Sequence, residues 1–333
     1  MGNAVFVDWL TASQCHPEGG LPVIVGGLNI FYDSTGIARR ERACSAPVQG
    51  SFDTSVRVQC DGFRVWLSGN VGRFARQDNL FNLGWDETVR AAGRILASVG
   101  LPPFSATQVL PDGSERRGAV VSRLDLTCNF AAGSDPQARA VVRWVAGQSI
   151  ARMKRGQAGD ESVWFSNTRY MFKLYNKAAE MLAHGCSIDE VAYQFALNSG
   201  IVRAEVELKK RLLSDAGLQD LGNITQDKLE DLFREHTEIL RRVDRSDEPD
   251  ILAALPSRSR AYAAAWMRGE DLRTLVSRAT LFRHAKVCRE YGLDILEPRN
   301  VVAFPHRVTV IELAPLEVPD WYELYPKLRV VGA

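Results

Sequence analysis

Short β-branched or aromatic runs separated by turn residues fill the first 70 positions: AVFVDWLT, PVIVGGLNIFY, SVRVQC and FRVWLSG. They predict strands, and the last two flank Asp61-Gly62, a two-residue hairpin signal. A helix is predicted from about Asp86, whose side chain can cap it, to Val99, with LPPF as its stop. AVVSRLDLTCN (119–129) reads as a strand, and Asp135-Pro136 as cap and first residue of a helix reaching about Gly147. SVWFSN and YMFKLYNK predict a second hairpin around Thr168-Arg169, followed by a helical pair over 177–199 and the strand IVRAEVELKK. Leu229, Leu232, Phe233, His236, Ile239, Leu240 and Val243 then recur on one stripe of a helix over 225–243.

The acidic, Pro-containing DRSDEPD (244–250) breaks this pattern, and SRSRAYAAAWMRG, EDLRTLV and SRATLFRHAKVCREYG read as three short helices beyond it. Strands crossed by single helices, with hairpins between, predict an α+β fold on a largely antiparallel sheet. The expected division is a sheet domain over 1–245, a small helix-turn-helix-like domain over 246–293, and an extension over 294–333 that holds the strand-like RVTVIEL.

Three strands have an unusual composition on one face. Arg123, Asp125 and Thr127 alternate with Leu124, Leu126 and Cys128; Arg203, Glu205, Glu207 and Lys209 alternate with Val202, Ala204, Val206 and Leu208. In YMFKLYNK, Lys173, Tyr175 and Lys177 would share a face opposite Tyr170, Phe172 and Leu174. Half-solvated antiparallel sheets show the same alternation, so pattern alone leaves an ordinary surface and a chemical face both open.

Composition narrows the chemistry. The six cysteines are scattered without a CxxC pair, and the five histidines never occur as HxH or HxxxH. Structural zinc and a disulfide framework are not expected, and a metal would be held by carboxylates. No apolar run approaches the ~20 residues of a membrane span, and the N-terminus lacks the basic and apolar regions of an export signal, so a cytoplasmic location is expected. The net charge of +1 is uninformative, but Ser257 to Glu290 carries eight Lys or Arg against three Asp or Glu. That local excess is the footprint of a nucleic-acid-binding module.

A tyrosine between two ammonium groups suggests a nucleophile. An unperturbed phenol has a pKa of about 10, and half-ionisation at pH 7 needs roughly 4 kcal/mol of differential stabilisation. Flanking cations and a nearby divalent metal act in that direction. A phenoxide can attack phosphorus and carry a covalent phosphate, while carboxylates on neighbouring strands can hold Mg²⁺ or Mn²⁺, hard cations that favour oxygen.

Four blocks, DNLFNLGWDETVRAAGRILASVGLP, VSRLDLTCNF, YMFKLYNKAAEM and SGIVRAEVELKKRLL, resemble in order the replication initiator family of filamentous phages, the gene II protein family. FVDWLT resembles that family's first strand, and the likeness spans roughly residues 1 to 290. The resemblance implies a site-specific nickase that starts rolling-circle replication. On it, Tyr175 attacks the DNA backbone, retains the 5′ phosphate and leaves a 3′-OH, with Lys177 beside it; the retained phosphate can later be rejoined to a released 3′-OH. Asp125 and Glu205 fall on the family's acids and are expected Mg²⁺ or Mn²⁺ ligands, with Asp8 as a third and Glu207 as either a surface charge or one that backs the metal ligands. The implied partners are double- and single-stranded DNA at a phage origin in the bacterial host cytoplasm, with host helicase and polymerase as further candidates.

Candidate DNA contacts are Arg73, Arg76 and Asn79 in the loop NVGRFARQDNLFN, with Arg123 and Lys173 on the charged strands. In the last short helix, Ser277 can cap, and Leu281, Ala285 and Cys288 can pack. Arg278, Thr280, Arg283 and Lys286 would then face outward as in a recognition helix. Two other classes stay open from sequence: a non-catalytic sequence-specific DNA-binding regulator, and a metal-dependent hydrolase that uses water.

Overall fold

The computed structural model describes residues 4–150, 152–159, 161–241, 255–290, 293–296 and 313–324. The acidic stretch at 244–250 and the strand-like stretch at 307–312 lie outside the described residues.

The alternating segments pair into one eleven-stranded antiparallel sheet, the largely antiparallel α+β arrangement expected. Its strands run β11 (Lys154–Ala158), β12 (Ser162–Ser166), β13 (Tyr170–Asn176), β14 (Ile201–Lys209), β10 (Val120–Ala131), β1 (Val5–Cys15), β7 (Arg64–Gly69), β6 (Ser55–Asp61) and β2 (Val23–Ile24). β5 (Ala46–Gln49) adds to β6, and β15 (Ala314–Pro315) adds to β10. The three strands with charged faces, far apart in sequence, are thus neighbours at the centre of the sheet.

One sheet face is apolar. Leu10, Leu124, Leu126, Phe172, Leu174, Val206 and Leu208 pack beneath α1 (Trp85–Ser98), α2 (Asp135–Ala146) and α6 (Gln226–His236). Each such large side chain contributes about 1.5–3 kcal/mol on burial. On the other face, α3 (Lys177–Ala183) and α4 (Val191–Asn198) cover one end, with Ala178, Met181 and Ala196 against Phe6, Phe81 and Ile201. Tyr322 joins this second cluster, so part of the C-terminal extension is built into the sheet domain.

A third cluster is formed within 255–296, where Leu255, Ala263, Trp266, Leu272, Leu281, Ala285 and Cys288 pack together. Its helices are α8 (Ser257–Met267), α9 (Leu272–Leu275) and α10 (Arg278–Glu290), matching the three short helices expected.

Helix starts differ from expectation by a residue. Gly84 is the N-cap of α1, without a side-chain cap, and Asp86 lies in the first turn, where its charge still opposes the helix dipole. Ser134 is the N-cap of α2; Asp135 is turned aside to accept from Asn176 and Arg139. The helix expected over 225–243 breaks at Thr237, between α6 and α7 (Glu238–Arg241). There the Thr237 hydroxyl donates to the Phe233 carbonyl, a back-bond that bends helices.

Candidate active site

Strand register assembles the site. Lys173 stands opposite Glu205, and Tyr175 opposite Arg203, across β13 and β14. Across β14 and β10, Glu205 pairs with Thr127, Glu207 with Asp125 and Arg203 with Asn129. Directly opposed residues share a sheet face, so these side chains point the same way. In β1 the pairing skips from Val7–Leu126 to Trp9–Asp125. Asp8 is the extra residue of a bulge, a device that re-aims a side chain, and it joins the charged face.

The Tyr175 hydroxyl donates to Glu205 Oε1 at 2.5 Å. Its ring is only 4% exposed, yet it lies on the polar face rather than in the apolar core. Burial, and then the Glu205 carboxylate, raise the phenol well above its ordinary pKa, against the pull of Arg203. This corrects the expectation of a phenol lowered by two flanking ammoniums. Lys173 stacks over the ring, with Nζ 4.3 Å from the centroid, instead of reaching the oxygen. The strand ends at Asn176, whose side chain caps α3 by accepting from Ala179 N. Lys177 is therefore the first helical residue and does not share a strand face with Tyr175.

Lys177 is 1% exposed and donates to Asn79 Oδ1 (2.9 Å) and Glu180 Oε2 (2.6 Å). Burial, then Arg203, push its pKa down to about 8, against the pull of Glu180 and Asp8. Arg203 is fully buried and donates to Asn129 Oδ1 and to the carbonyls of Asn79 and Leu80. Burial opposes its charge, but Tyr175 and the acids Asp8, Glu180 and Glu205 hold it firmly protonated. Its Nη1 has no hydrogen-bond partner and sits 3.7 Å from Asp8 Oδ2.

The expected metal ligands divide. Asp125 is gripped by the Arg123 fork, Nε to Oδ1 at 2.8 Å and Nη2 to Oδ2 at 2.6 Å. Burial nevertheless pushes its carboxyl up to about 7. Glu207 shares the same guanidinium at 3.3 Å, which in turn lies over the Trp9 ring. Asp8 is held differently: Oδ1 accepts from the side-chain amides of Asn70 and Asn82 at 3.1 and 2.8 Å. Burial and then Asp8 raise the Glu205 pKa, against the pull of Lys173, whose Nζ is 3.9 Å from Oε2, of the Tyr175 hydroxyl and of Arg203. Thr127 Oγ1, directly across from Glu205, is buried without a partner.

Among the described residues no three or more His, Cys, Asp or Glu are grouped so as to hold a metal ion. The donors that fit a hard cation are the Asp8 and Glu205 carboxylates with the orphaned Thr127 hydroxyl, while both Asp125 oxygens are taken by arginine.

The expected DNA contacts also divide. Arg76 is buried, donating to the Gly72 and Phe81 carbonyls and to the Tyr322 hydroxyl. It braces its loop and is not open to a ligand, contrary to expectation; a guanidinium has enough donors to close such a loop by itself. Asn79 is taken by Lys177, whereas Arg73 is exposed. In α10, Arg278, Arg283 and Lys286 are exposed and Thr280 partly so, with Ser277 capping at the Thr280 amide. Asn70, Asn82, Asn129 and Glu180 carry no periodic signal in the sequence. Only their spacing after folding reveals what they hold.

A family model described as replication-associated protein G2P N-terminal matches residues 32–227, and its C-terminal counterpart matches residues 254–328. The replication-associated protein G2P of Enterobacteria phage I2-2 is 25% identical over 350 aligned positions, covering 95% of this chain and 96% of the relative. That of Escherichia phage If1 is 27% identical over 326 positions, covering 83% and 99%. With its charged-face strands inside the first match and its three-helix cluster inside the second, the chain belongs to the replication-associated protein G2P family.

Proposed function

We propose that the protein initiates rolling-circle replication by nicking one strand of a phage origin through Tyr175 and later rejoining the displaced strand. The observation that carries this reading is the Tyr175 hydroxyl donating to a half-buried Glu205 on a face that also holds Arg203 and Asp8. A phenol raised above pKa 10 does not ionise beforehand. Glu205 takes its proton as the new oxygen–phosphorus bond forms, which is general-base catalysis. The phosphorus–O3′ bond breaks, the 3′ oxygen leaves with the electron pair and is protonated, and the 5′ phosphate stays on Tyr175.

Lys177 and the unpartnered Nη1 of Arg203 supply positive charge for the phosphoryl oxygens; of the three Lys177 donors, two are occupied. Lys173, spread across the ring, is the side chain that an arriving phosphate draws aside. Asp8, Glu205 and the Thr127 hydroxyl would hold a divalent cation such as Mg²⁺, which would supply Lewis-acid polarisation of the scissile phosphate. The phosphotyrosine conserves the energy of the phosphodiester. A released 3′-OH can therefore attack it, break the tyrosine–phosphorus bond and close the strand without ATP.

The test uses supercoiled DNA carrying the phage's own origin, with and without Mg²⁺ or Mn²⁺. Relaxed circles still bound to protein after denaturant are expected, and Tyr175→Phe should lose both cleavage and adduct while retaining origin binding. Cutting that survives Tyr175→Phe indicates a water-using hydrolase. Binding without cutting in any metal indicates a regulator, and either result refutes the proposal.

A further inference from the structure

A hairpin of β3 (Gly27–Tyr32) and β4 (Ala38–Cys44) stands apart from the large sheet as its own two-stranded ribbon. Its side chains are almost all exposed, including Leu28, Ile30, Phe31 and Tyr32 at 41–62%. An isolated two-stranded ribbon is marginal in water, and this one shows apolar groups on both faces. It is nonetheless firmly built. At its tip Asp33 accepts from Thr35, Ile37 and Arg39. At its base Gly27, with φ of 142°, turns the chain out of the sheet, a conformation open to glycine.

Register gives the ribbon two unlike faces. Asn29 opposes Arg42 and Phe31 opposes Arg40, placing two arginines, an amide and an aromatic ring together. This face continues into a groove of about 480 Å³ lined by Asn29, Arg42, Arg57, Gln59, Arg64 and Trp66. Arg40 and Arg42 make no ion pair with any described residue, and the Arg57 guanidinium donates to Ser45. Asp61 also borders the groove, but its Oδ1 is used by the amides of Phe63 and Arg64 in its own turn.

The groove lies on the same sheet face as Tyr175. Gln59 pairs with Trp66, Trp66 with Ser13, and Arg57 with Ser68; Ser68 pairs with Thr11, Thr11 with Arg123, and Trp9 with Asp125. From β13 to β6 is five strand steps, about 24 Å at roughly 4.8 Å each, and on β10 the level of Tyr175 (Asn129) lies six residues from that of Arg57 (Arg123), about 20 Å at roughly 3.3 Å each. Together these give about 31 Å, or about nine base pairs at roughly 3.4 Å per pair.

We infer that the β3–β4 ribbon and the Arg42–Arg57–Arg64 groove at its base form the arm that grips the origin duplex, about nine base pairs from the nicked phosphate. The identity of the partner rests on the reading under Proposed function. A two-stranded ribbon fits the major groove of B-DNA. The arginines pair with phosphates, the Asn29 and Gln59 amides can meet base edges, and the exposed apolar side chains suit thymine methyls. The recognition expected of the 70–82 loop, where Arg76 is buried and Asn79 is taken by Lys177, falls instead to this arm.

The test measures binding of a fluorescein-labelled origin duplex by anisotropy across a salt series, using the full-length protein and an Arg42→Ala/Arg57→Ala variant. The variant should bind at least tenfold more weakly at about 0.15 M salt, and its slope of log K against log salt should fall by about two. Hydroxyl-radical protection by the wild-type protein should centre about nine base pairs from the nick. Covalent adduct formation on a single-stranded oligonucleotide too short to reach the arm serves as the control for a correctly folded variant.

Unchanged affinity and slope in a variant that still forms this adduct overturn the inference and leave the nickase reading standing. So does protection confined to the immediate nick. Weakened duplex binding by the variant, in a protein whose wild type never forms an adduct, supports the arm and refutes the nickase. Absence of duplex binding by the wild type overturns the arm.

Discussion

Replacing Lys177 with methionine should make the protein more stable and catalytically dead. The side chain is 1% exposed and its pKa is pushed down to about 8 from 10.5, burial being the largest cause. A shift of that size corresponds to about 3 kcal/mol by which folding disfavours the ammonium. Methionine fills a similar volume without charge, and losing the bond to Asn79 costs about 1 kcal/mol; Glu180, freed of its partner, can turn to water. The net gain at pH 7 is about 2 kcal/mol, or roughly 4–8 °C in Tm.

The pH dependence provides the check. Because the folded pKa is depressed, the Lys177 contribution to stability is fully present above the unfolded value of 10.5 and is lost as pH falls through about 8. The advantage of Lys177→Met should therefore be full below pH 8, shrink as pH rises, and turn into a deficit of about 1 kcal/mol by about pH 10.5, where only the lost Asn79 bond remains. Thermal melts of both proteins across this range measure it, and nicking of supercoiled origin DNA measures the loss of activity. A variant that is less stable at pH 7, or an advantage that does not change with pH, would show that the buried ammonium is not the cost inferred here.

Wild-type nicking should fall as pH rises through about 8, when Lys177 loses the charge that faces the phosphate; a rate–pH profile at saturating metal tests this. Asp8→Asn should weaken the metal-stimulated rate at least tenfold and raise the Mg²⁺ concentration needed, whereas Asp125→Asn, with its partner Arg123 retained, should shift the metal requirement far less. Equal effects would restore Asp125 as a ligand. Arg76→Ala removes the guanidinium that donates to the Tyr322 hydroxyl and to the Gly72 and Phe81 carbonyls and should cost about 2–4 kcal/mol, read as a lower melting midpoint and faster proteolysis near Tyr322. Arg283→Ala in α10 should reduce the salt slope of DNA binding by about one without lowering the melting midpoint.

The alternation in VSRLDLTCN, YMFKLYNK and IVRAEVELKK was enough to show three strands with one charged face, because period-two patterning follows from strand geometry alone. The stripe Leu281, Ala285 and Cys288 likewise announced the packed side of α10, as helix periodicity requires. The change from strand to helix at Lys177 had a local signal too. Asn176 is a good cap and is followed by the helix formers KAAEML, which outweighs reading Lys177 as the next strand position.

What the sequence by itself determined is the list of elements and the residue types on each face, since these depend on neighbours along the chain. The tertiary structure alone decided which charges meet. Strand order brought β13, β14 and β10 together, and register set Glu205 rather than Asp125 against the phenol. A one-residue bulge turned Asp8 into the site, and burial raised Tyr175 while lowering Lys177. Pairing and desolvation depend on residues tens to hundreds of positions apart, and a pKa responds to the dielectric around a group as much as to its sequence neighbours.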